Sequence, residues 1–514
     1  MGLRTWLRGQ AQRARYGRKA QARFEAARSG RLSEDFFRPH TSAAVEIRQD
    51  LQTLRNSARA LTRDNPHART VKRTFRTNVI GPRGIQLRPQ IKLLSGDGLD
   101  DRRNAIVTEE FNLFCRKDSF DVSGRNSFLA TQWHVPGALI DSGEMYVRIV
   151  RGRKFGRSKI PLAFELLEAD QIDVEYNGLS DRPGHRWAMG HELDEWNRPT
   201  RYAVLTRHPG DWELRNPNVG VKHVFIPASD MIHIYGIEER LNQLRCEPVL
   251  TPTVVTAHNM REYQRSHLIK KRAQANQLGW ILTPEELNGD LVDNQRTVES
   301  EAGLFRRLNA GETVLPPNYG AEDTVYPEVI KDSLRTVAVG SGTNYSTISG
   351  DFSEGSYASL RISVFENRDN WQMLHTAIID QFCQRIHDEF FYAAVMAGVL
   401  PSPTFDDYWF RPERYSQPKW QARSWGLLDS SKDIQAYKDA RELQLETHDQ
   451  QISNYTGEGF TNTIDKIASE NKYKEKMGLL SPIDDPAKAL EAKKPAAAPP
   501  QPPEDDDKSD GDDD

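Results

Sequence analysis

The segment 339–361, VGSGTNYSTISGDFSEGSYASLR, is a polar stretch of small residues at the head of a long helical pattern. Between positions 340 and 358 it contains no Lys or Arg, and its only acidic residues are Asp351 and Glu354. It carries no nucleophile–base pair, no cluster of metal ligands and no phosphate loop. The segment is therefore either a plain connection with Asp351 or Ser353 as the N-cap of the next helix, or a surface that touches another molecule weakly.

Helical patterns lie on both sides of this segment. An earlier helix is predicted within 248–278, with its regular part beginning at Pro252, and a shorter one over 328–339 that ends at Gly340. Residues 356–398 are predicted to run as one helix of about 65 Å, at 1.5 Å per residue. Its apolar stripe recurs at helical spacing and consists of Trp371, Leu374, Ile378, Phe382, Ile386 and Phe390.

The chain before position 240 mixes helical and strand patterns. Residues 41–80 are amphipathic, and Asp64-Asn65-Pro66 is a helix start because Pro is favoured in the first turn. Between 143 and 233, short alternating runs separated by Gly, Pro and Asn are typical of strands. The pattern predicts one mixed α+β unit over 41–240.

Both ends of the chain are strongly charged and of low apolar content. Residues 1–35 are rich in Arg, and the chain ends in PPEDDDKSDGDDD after a Pro- and Ala-rich run that begins at 481. Such compositions favour disordered tails. Each tail is either a solubilising extension or a contact surface, and the basic arm suits nucleic acid or an acidic partner.

The composition, with 37% hydrophobic and 28% charged residues, is that of an ordinary soluble protein. Cys115, Cys246 and Cys383 are far apart and form no CxxC or Cys/His pattern, which argues against zinc and a disulfide framework and favours a reducing compartment. No apolar run reaches about 18 residues, so a spanning helix is not expected. The N-terminus lacks the apolar centre of a secretion signal.

Catalytic motifs are missing from the sequence. There is no GxxxxGK[ST] and no GxSxG elbow. GHELDEW (190–196) begins like a zincin helix but has Glu195 where a second His belongs, so we interpret it as a surface loop between strands. EADQIDVEYN (168–177) gathers four acidic residues, but strand alternation separates their faces, and we interpret it as an exposed strand edge.

The basic run HLIKKRAQAN (267–276) lies within a predicted helix and contains Lys270, Lys271 and Arg272. These side chains are either a solvated helix face or contacts to a nucleic-acid backbone. Without a catalytic set, three classes remain: an assembly and conduit protein, a DNA-binding assembly or regulatory protein, and an enzyme with an unrecognised site.

Four runs in a fixed order carry a resemblance to a known family. They are RDNPHARTVKRTFRTNVIGPRGIQLRPQ (63–90), CEPVLTPTVVTAHNMREYQRSHLIKKRAQA (246–275), VAVGSGTNYSTISGDFSEGSYASLRISVFENRDNW (337–371) and SWGLLDSSKDIQAYKDARELQLETHDQQISNYTGEGFTNTIDKIASE (424–470). Together they resemble the portal proteins of tailed bacteriophages, specifically the lambda-type portal family, over roughly residues 40–475. The resemblance implies a helix-rich α+β portal fold assembled as a ring.

The resemblance also implies a division of the chain. It assigns 1–35 to a basic arm, 41–247 to the wing, 248–278 and 328–342 to two stem helices, 279–327 to the clip, 343–355 to a tunnel loop, 356–400 to a long wing helix, 401–480 to the crown and 481–514 to an acidic tail. A basic arm of this kind is expected to contact packaged DNA or scaffold.

Portal proteins form rings, usually of twelve subunits, at one capsid vertex, and they are not enzymes. The resemblance implies these partners: the terminase large subunit, major capsid and scaffold proteins, head-completion and tail connector proteins, and double-stranded DNA passing non-specifically. It implies no cofactor, no metal and no membrane, with assembly in the host cytoplasm into the virion.

Within this resemblance, the cation-free segment 339–361 has a function. A conduit must touch DNA without holding it, and each neutralised phosphate adds affinity. Hydroxyl and amide groups offer weak, exchangeable hydrogen bonds, and the acidic residues add repulsion. The expected channel residues are Asn344, Ser346, Thr347, Ser349, Asp351 and Ser353.

Overall fold

The structure is a computed structural model. It describes residues 41–93, 98–211, 222–236, 240–276, 280–282, 313–315, 325–353, 355–401, 404–425, 430–448, 451–452 and 460–478. The predicted basic arm, the acidic tail and most of the predicted clip lie outside these residues.

The architecture is helix-rich α+β, as predicted. The helices are α1 Ala43–Asp64, α2 Pro66–Phe75, α3 Asp101–Phe114, α4 Lys117–Phe120, α5 Phe128–Ser142, α6 Val254–Asn276, α7 Tyr326–Gly340, α8 Tyr345–Ser349, α9 Tyr357–Ile378, α10 Gln384–Met396, α11 Ser430–Glu442 and α12 Phe460–Lys476. The strands are β1 Gln86–Arg88, β2 Glu144–Arg151, β3 Leu162–Leu167, β4 Gly178–Leu179, β5 Arg186–Ala188, β6 His191–Leu193, β7 Pro199–Leu205, β8 His223–Pro227, β9 Met231–Tyr235, β10 Trp280–Leu282, β11 Thr313–Leu315 and β12 Lys419–Gln421.

The helix start predicted at Asp64-Asn65-Pro66 is confirmed. The Asn65 side chain accepts hydrogen bonds from the backbone N–H groups of His67 and Ala68, at 2.9 and 3.2 Å. This N-cap satisfies donors that a helix start leaves unpaired. It separates α1 from α2, whose apolar side chains Val71 and Phe75 are buried.

The strands form two larger antiparallel sheets between which a small second core lies. One sheet has the order β3-β2-β9 and the other β4-β5-β6-β7-β8. Tyr146, Tyr202 and Met231 are among the residues buried between them. The opposite side of the first sheet joins the main helical core, where Phe111 packs edge-on against Phe390 at 5.0 Å.

A buried ionic network ties α1 to the first sheet. Arg55, Glu144 and Arg245 are completely buried, and Glu144 Oε1 accepts from both guanidinium groups at 2.6 Å. Asp170 accepts from Arg55 at 3.1 Å. Burial opposes ionisation of Glu144. Even so, the pKa of Glu144 lies well below its usual range, because the charge of Arg245, a hydrogen bond from His233 and the charge of Arg55 all favour the carboxylate.

Two interpretations of the sequence in this region are wrong. The acidic run 168–177 is not an exposed strand edge, because Ala169–Gln171 forms a 3-10 turn that buries Asp170 in the ionic network. The stretch 190–196 is not a surface loop, because β6 is buried and Glu192 pairs with Arg201 at 2.6 Å. The arginine partners of Asp170 are more than 100 positions away in sequence, so local alternation gave no sign of them, whereas Glu192 and Arg201 face each other on the adjacent strands β6 and β7.

The long helix runs continuously through a π turn. Helix α9 passes into the π turn Ile379–Cys383 and then into α10, ending two residues before the predicted Gly398. Side chains spaced by four drift about 40° per step on a helix of 3.6 residues per turn, and a wider π turn compensates for this drift. As a result Ile378, Phe382 and Phe390 all face the core.

The C-terminal part contributes β12, which pairs antiparallel with β1 in the register Leu87↔Trp420. The two helices predicted within 429–478 are present as α11 and α12. The three cysteines are free thiols. Among the described residues, none of the helices combines the length and apolar character that crossing a bilayer requires.

Candidate DNA-channel loop

The loop 341–356 begins where α7 meets the head of α6. A Cβ atom on Gly340 would lie 2.7 Å from Thr253 Cγ2, so the close approach of the two helices depends on a glycine here. Ser341 and Thr343 follow, and both are buried and hydrogen-bonded to each other at 3.0 Å. The first residues of the loop are therefore buried and fixed to the end of α7, where Ser341 Oγ donates to the Ala338 carbonyl at 3.2 Å.

The middle of the loop is helical, which differs from the unstructured loop expected over 343–355. Tyr345–Ser349 forms the one-turn helix α8. Ile348 is buried against α2, and its carbonyl oxygen lies 3.2 Å from His67 Nδ1. The apolar pair Tyr345 and Ile348, spaced by three, gives this turn a packed face that the polar composition of the segment concealed.

Of the six predicted channel residues, four have side chains that make hydrogen bonds within the subunit. Asn344 donates to the Ser363 carbonyl at 3.0 Å, which fastens the loop to α9. Ser349 donates to the Tyr345 carbonyl at 2.8 Å. Asp351 accepts from the Ser353 hydroxyl at 2.6 Å and from Tyr345 Oη at 3.3 Å.

Ser346, Thr347 and Ser353 differ in exposure. Thr347 and Ser353 are exposed, whereas Ser346 is half-buried. Phe352 lies between them in sequence, and 61% of its surface is exposed. Among the described residues of the loop, the exposed ones thus present hydroxyl groups, glycine backbone and one aromatic ring.

The loop ends at a helix N-cap. Ser356 Oγ accepts from the Ser359 N–H at 3.2 Å and caps α9. The candidates Asp351 and Ser353 are therefore not the N-cap. Instead, the hydrogen bonds from the Ser353 side chain and backbone lower the pKa of Asp351, which keeps its negative charge on the loop.

Sequence reasoning missed the cations that flank the loop. The Arg335 guanidinium on α7 lies 5.6 Å from the centroid of the Tyr345 ring, and the charge of Lys331 also contributes to lowering the pKa of Asp351. Both residues precede the loop by about one to three helical turns. The sequence places both cations on α7 shortly before the loop. Only the packing of α8 against α7 shows that they face it.

The basic run on α6 is not brought to the loop. Lys270, Lys271 and Arg272 are exposed. They lie about 24 Å along α6 from its start, at 1.5 Å per residue, whereas the loop begins at that start beside Thr253. The two predicted nucleic-acid contacts therefore lie at opposite ends of one helix.

One group of possible metal ligands occurs among the described residues. Glu168, Asp170 and His208 bring ligand atoms within 4.8 Å of one another. However, Asp170 already accepts from Arg55 and Arg59. A cation here would face two guanidinium groups, so the arrangement is better explained as part of the ionic network than as a metal centre.

Comparisons with known proteins identify the family of the chain. The family model for phage portal proteins of the lambda family matches residues 29–375, which is more than half of the chain. The chain belongs to this family. It is therefore a portal protein, a component of the ring at a capsid vertex through which DNA passes.

A probable portal protein of Halomonas phage phiHAP-1 is 28% identical over 511 residues, covering 95% of this chain and 94% of that protein. The neck of a native gene transfer agent particle with C12 symmetry gives a TM-score of 0.43 at 14% identity, covering 77% of this chain and 92% of that one. The native gene transfer agent virion gives 0.42 at 12% identity, covering 78% and 92%.

Proposed function

We propose that twelve copies of this chain close into a ring and that the loop 341–356 of each copy faces the passing duplex. The ring serves as a structural component rather than an enzyme. The observation that carries this proposal is the chemistry of the loop surface. Thr347, Ser353 and the exposed glycines offer only weak hydrogen-bonding groups, while the buried side of the loop is fastened to α2, α7 and α9.

A loop held in this way suits a conduit. Cations against phosphates would add affinity and salt dependence with every neutralised charge, and a ring would multiply that effect by its subunit number. The exposed hydroxyl groups carry no charge and therefore do not add this affinity, and the charged Asp351 adds mild repulsion of the phosphates. Phe352 presents an apolar surface that has no hydrogen bond to break as DNA slides.

The regional assignments follow the family. Residues 41–247 form the wing, α6 and α7 the stem, 356–400 the long wing helix and 401–480 the crown. The clip, 279–327, contains the antiparallel ribbon β10–β11, in which Trp280 pairs with Leu315. We assign docking of the terminase large subunit and of the head-completion and tail connector proteins to the clip end. Capsid and scaffold proteins contact the wing, and assembly takes place in the host cytoplasm.

Exposed apolar side chains on the long helix and stem support ring closure. Ile362 on α9 is 68% exposed, Val339 on α7 is 81% exposed and Val255 on α6 is 69% exposed. A head-to-tail contact between neighbouring copies would cover such residues, and a contact of this kind that closes gives a ring.

The first test is negative-stain electron microscopy of the purified protein, together with its mass in solution. The proposal is supported by twelve-subunit rings whose central hole is wide enough for a DNA duplex, roughly 20 Å or more. A small species that binds duplex DNA tightly and with strong salt dependence would support the DNA-binding regulatory alternative instead.

The loop assignment is tested on assembled rings. The double variant Thr347→Arg/Ser353→Arg is compared with the matched Thr347→Gln/Ser353→Gln, which changes size without adding charge. If the loop faces DNA, the Arg variant increases duplex affinity and steepens its salt dependence by about one unit of slope per new phosphate contact, and it slows DNA packaging. Equal behaviour of the two variants would place the loop away from the channel.

A further inference from the structure

A basic groove lies between α1, α2 and α5, on a part of the wing that the channel proposal does not use. Its volume is about 670 Å³. Six cationic side chains line it together with a single carboxylate, Asp141. The cations are Arg59, Arg63, Arg69, Lys72, Arg73 and Arg76.

Three of these cations are already neutralised. Arg59 pairs with Asp170, Lys72 with Asp141, and Arg63 with the adjacent Asp64. The remaining three, Arg69, Arg73 and Arg76, have no carboxylate within ion-pair distance among the described residues. The groove therefore holds an uncompensated positive charge at its α2 wall.

The three unpaired arginines share one side of the chain. They are spaced by four and three residues, which places them on one helical face. Like charges at this spacing destabilise an isolated helix. The repulsion between the three arginines lowers the stability of this segment, and a bound polyanion would remove that repulsion.

Arg76 gives a second, independent sign of an absent partner. Its Nε is buried and has no hydrogen-bond partner in the described part of the chain. Its guanidinium lies against α5 at Gly137, where a Cβ atom would come within 2.7 Å of Nη2. Burial, followed by the charges of Arg76 and Lys72, lowers the pKa of the neighbouring His134, so the positive field reaches beyond the groove.

We propose that this groove binds the acidic C-terminal segment of the chain, residues 504–514. This segment, EDDDKSDGDDD, carries eight carboxylates and one Lys. The chain between 478 and 514 can span up to about 120 Å when extended, enough to reach a groove on its own subunit or on a neighbour. Multiple carboxylates match unpaired guanidinium groups, which form strong charge-assisted hydrogen bonds with them.

Binding of the acidic segment in the groove would affect how this surface interacts with passing DNA. An open groove of three unpaired arginines is also a phosphate-binding surface. An acidic segment seated there competes with DNA and keeps the wing from retaining it. The segment thus acts as an intramolecular shield.

The test uses the full-length chain with its eight tail acids replaced by Asn or Gln, and a fluorescent peptide of residues 500–514. Anisotropy at about 50 mM salt, where screening is weak, measures peptide binding. Arg69→Glu/Arg73→Glu is introduced in the groove, and Arg153→Glu/Lys154→Glu on the exposed 151–160 turn is the matched control. Circular dichroism confirms that all variants fold.

The expected result is that the groove variant weakens peptide binding by about tenfold or more while the control retains it. In the same assay with duplex DNA, neutralising the tail increases DNA binding, and the groove variant removes the increase. Equal peptide binding by the groove and control variants overturns the proposal. The proposal is also overturned if DNA binds in the groove equally well before and after the tail is neutralised, because the groove would then be a nucleic-acid site that the tail does not cover. Ring formation is measured separately, so failure here is distinct from failure of the portal architecture.

Discussion

Replacing Arg245 with Met is the most direct test of the ionic network that joins α1 to the first sheet. The side chain is completely buried, and it donates to Glu144 at 2.6 Å and to the carbonyl oxygens of Ala169, Met189 and Ile172 at 2.8, 3.0 and 3.2 Å. Met keeps most of the volume but provides no donor. Three buried carbonyls and one carboxylate then each lose a hydrogen bond.

Two independent estimates of the loss in free energy of unfolding agree. At about 1 kcal/mol net for each of the four hydrogen bonds, the loss is about 4 kcal/mol. Removing one member of a buried ion pair costs about 3–5 kcal/mol, because the other charge stays buried. Arg245→Met should therefore lower the free energy of unfolding of the subunit by about 3–5 kcal/mol, and Arg245→Lys by less, since one donor can still reach Glu144.

The assay is urea unfolding followed by tryptophan fluorescence, with Trp187 in the adjacent sheet as a reporter. With a urea slope of up to about 3 kcal/mol/M, the midpoint should fall by about 1 M or more. The matched control is Arg48→Met, because Arg48 pairs with Glu175 on the surface with 45% and 75% of the two side chains exposed. Exposed pairs contribute about 0–1 kcal/mol. A midpoint shift for Arg245→Met no larger than that of the control would refute this account of the network.

Three further outcomes are expected. Gly340→Val should separate α7 from the start of α6, because its Cβ meets Thr253 at 2.7 Å; overpacking costs about 1–3 kcal/mol, and a melting temperature equal to that of the wild type would contradict this. Ile362→Arg should reduce ring formation in electron microscopy, whereas Gln372→Arg, a new cation at an exposed polar position of the same helix, should not; rings that form equally well in both would remove α9 from the interface. Arg201, above all, holds the pKa of Glu192 at about 2, below its usual 4.5, so the pair stabilises the fold above pH 4.5 and this contribution disappears as the pH falls through 2. Glu192→Gln should therefore lose stability at neutral pH and show a flatter acid limb in circular dichroism, and an unchanged pH profile would contradict the assignment.

The accuracy of the sequence predictions follows the range of the interactions behind them. The cap at Asn65, the end of α7 at Gly340 and the apolar stripe from Trp371 to Phe390 depend on neighbours within one or two turns, and the structure confirms them. The network around Glu144 joins residues up to 115 positions apart, as in the bond from Arg55 to Asp170. Alternation of side chains along a strand contains no information about such partners, so the acidic run 168–177 was wrongly interpreted as exposed.

The loop 341–356 shows the same limit at the site itself. Its lack of cations was visible in the sequence, but the packing of Ile348 against α2 was not, because His67 and Ile348 are 281 positions apart. That contact places the loop beside α2, the helix whose other face carries Arg69 and Arg73. One helix therefore supports a surface without cations and, with α1 and α5, forms a groove with unpaired ones. If DNA passes the first surface, the second must be turned away from the channel or covered by an anion, and the acidic segment 504–514 is the part of this chain with the charge to cover it.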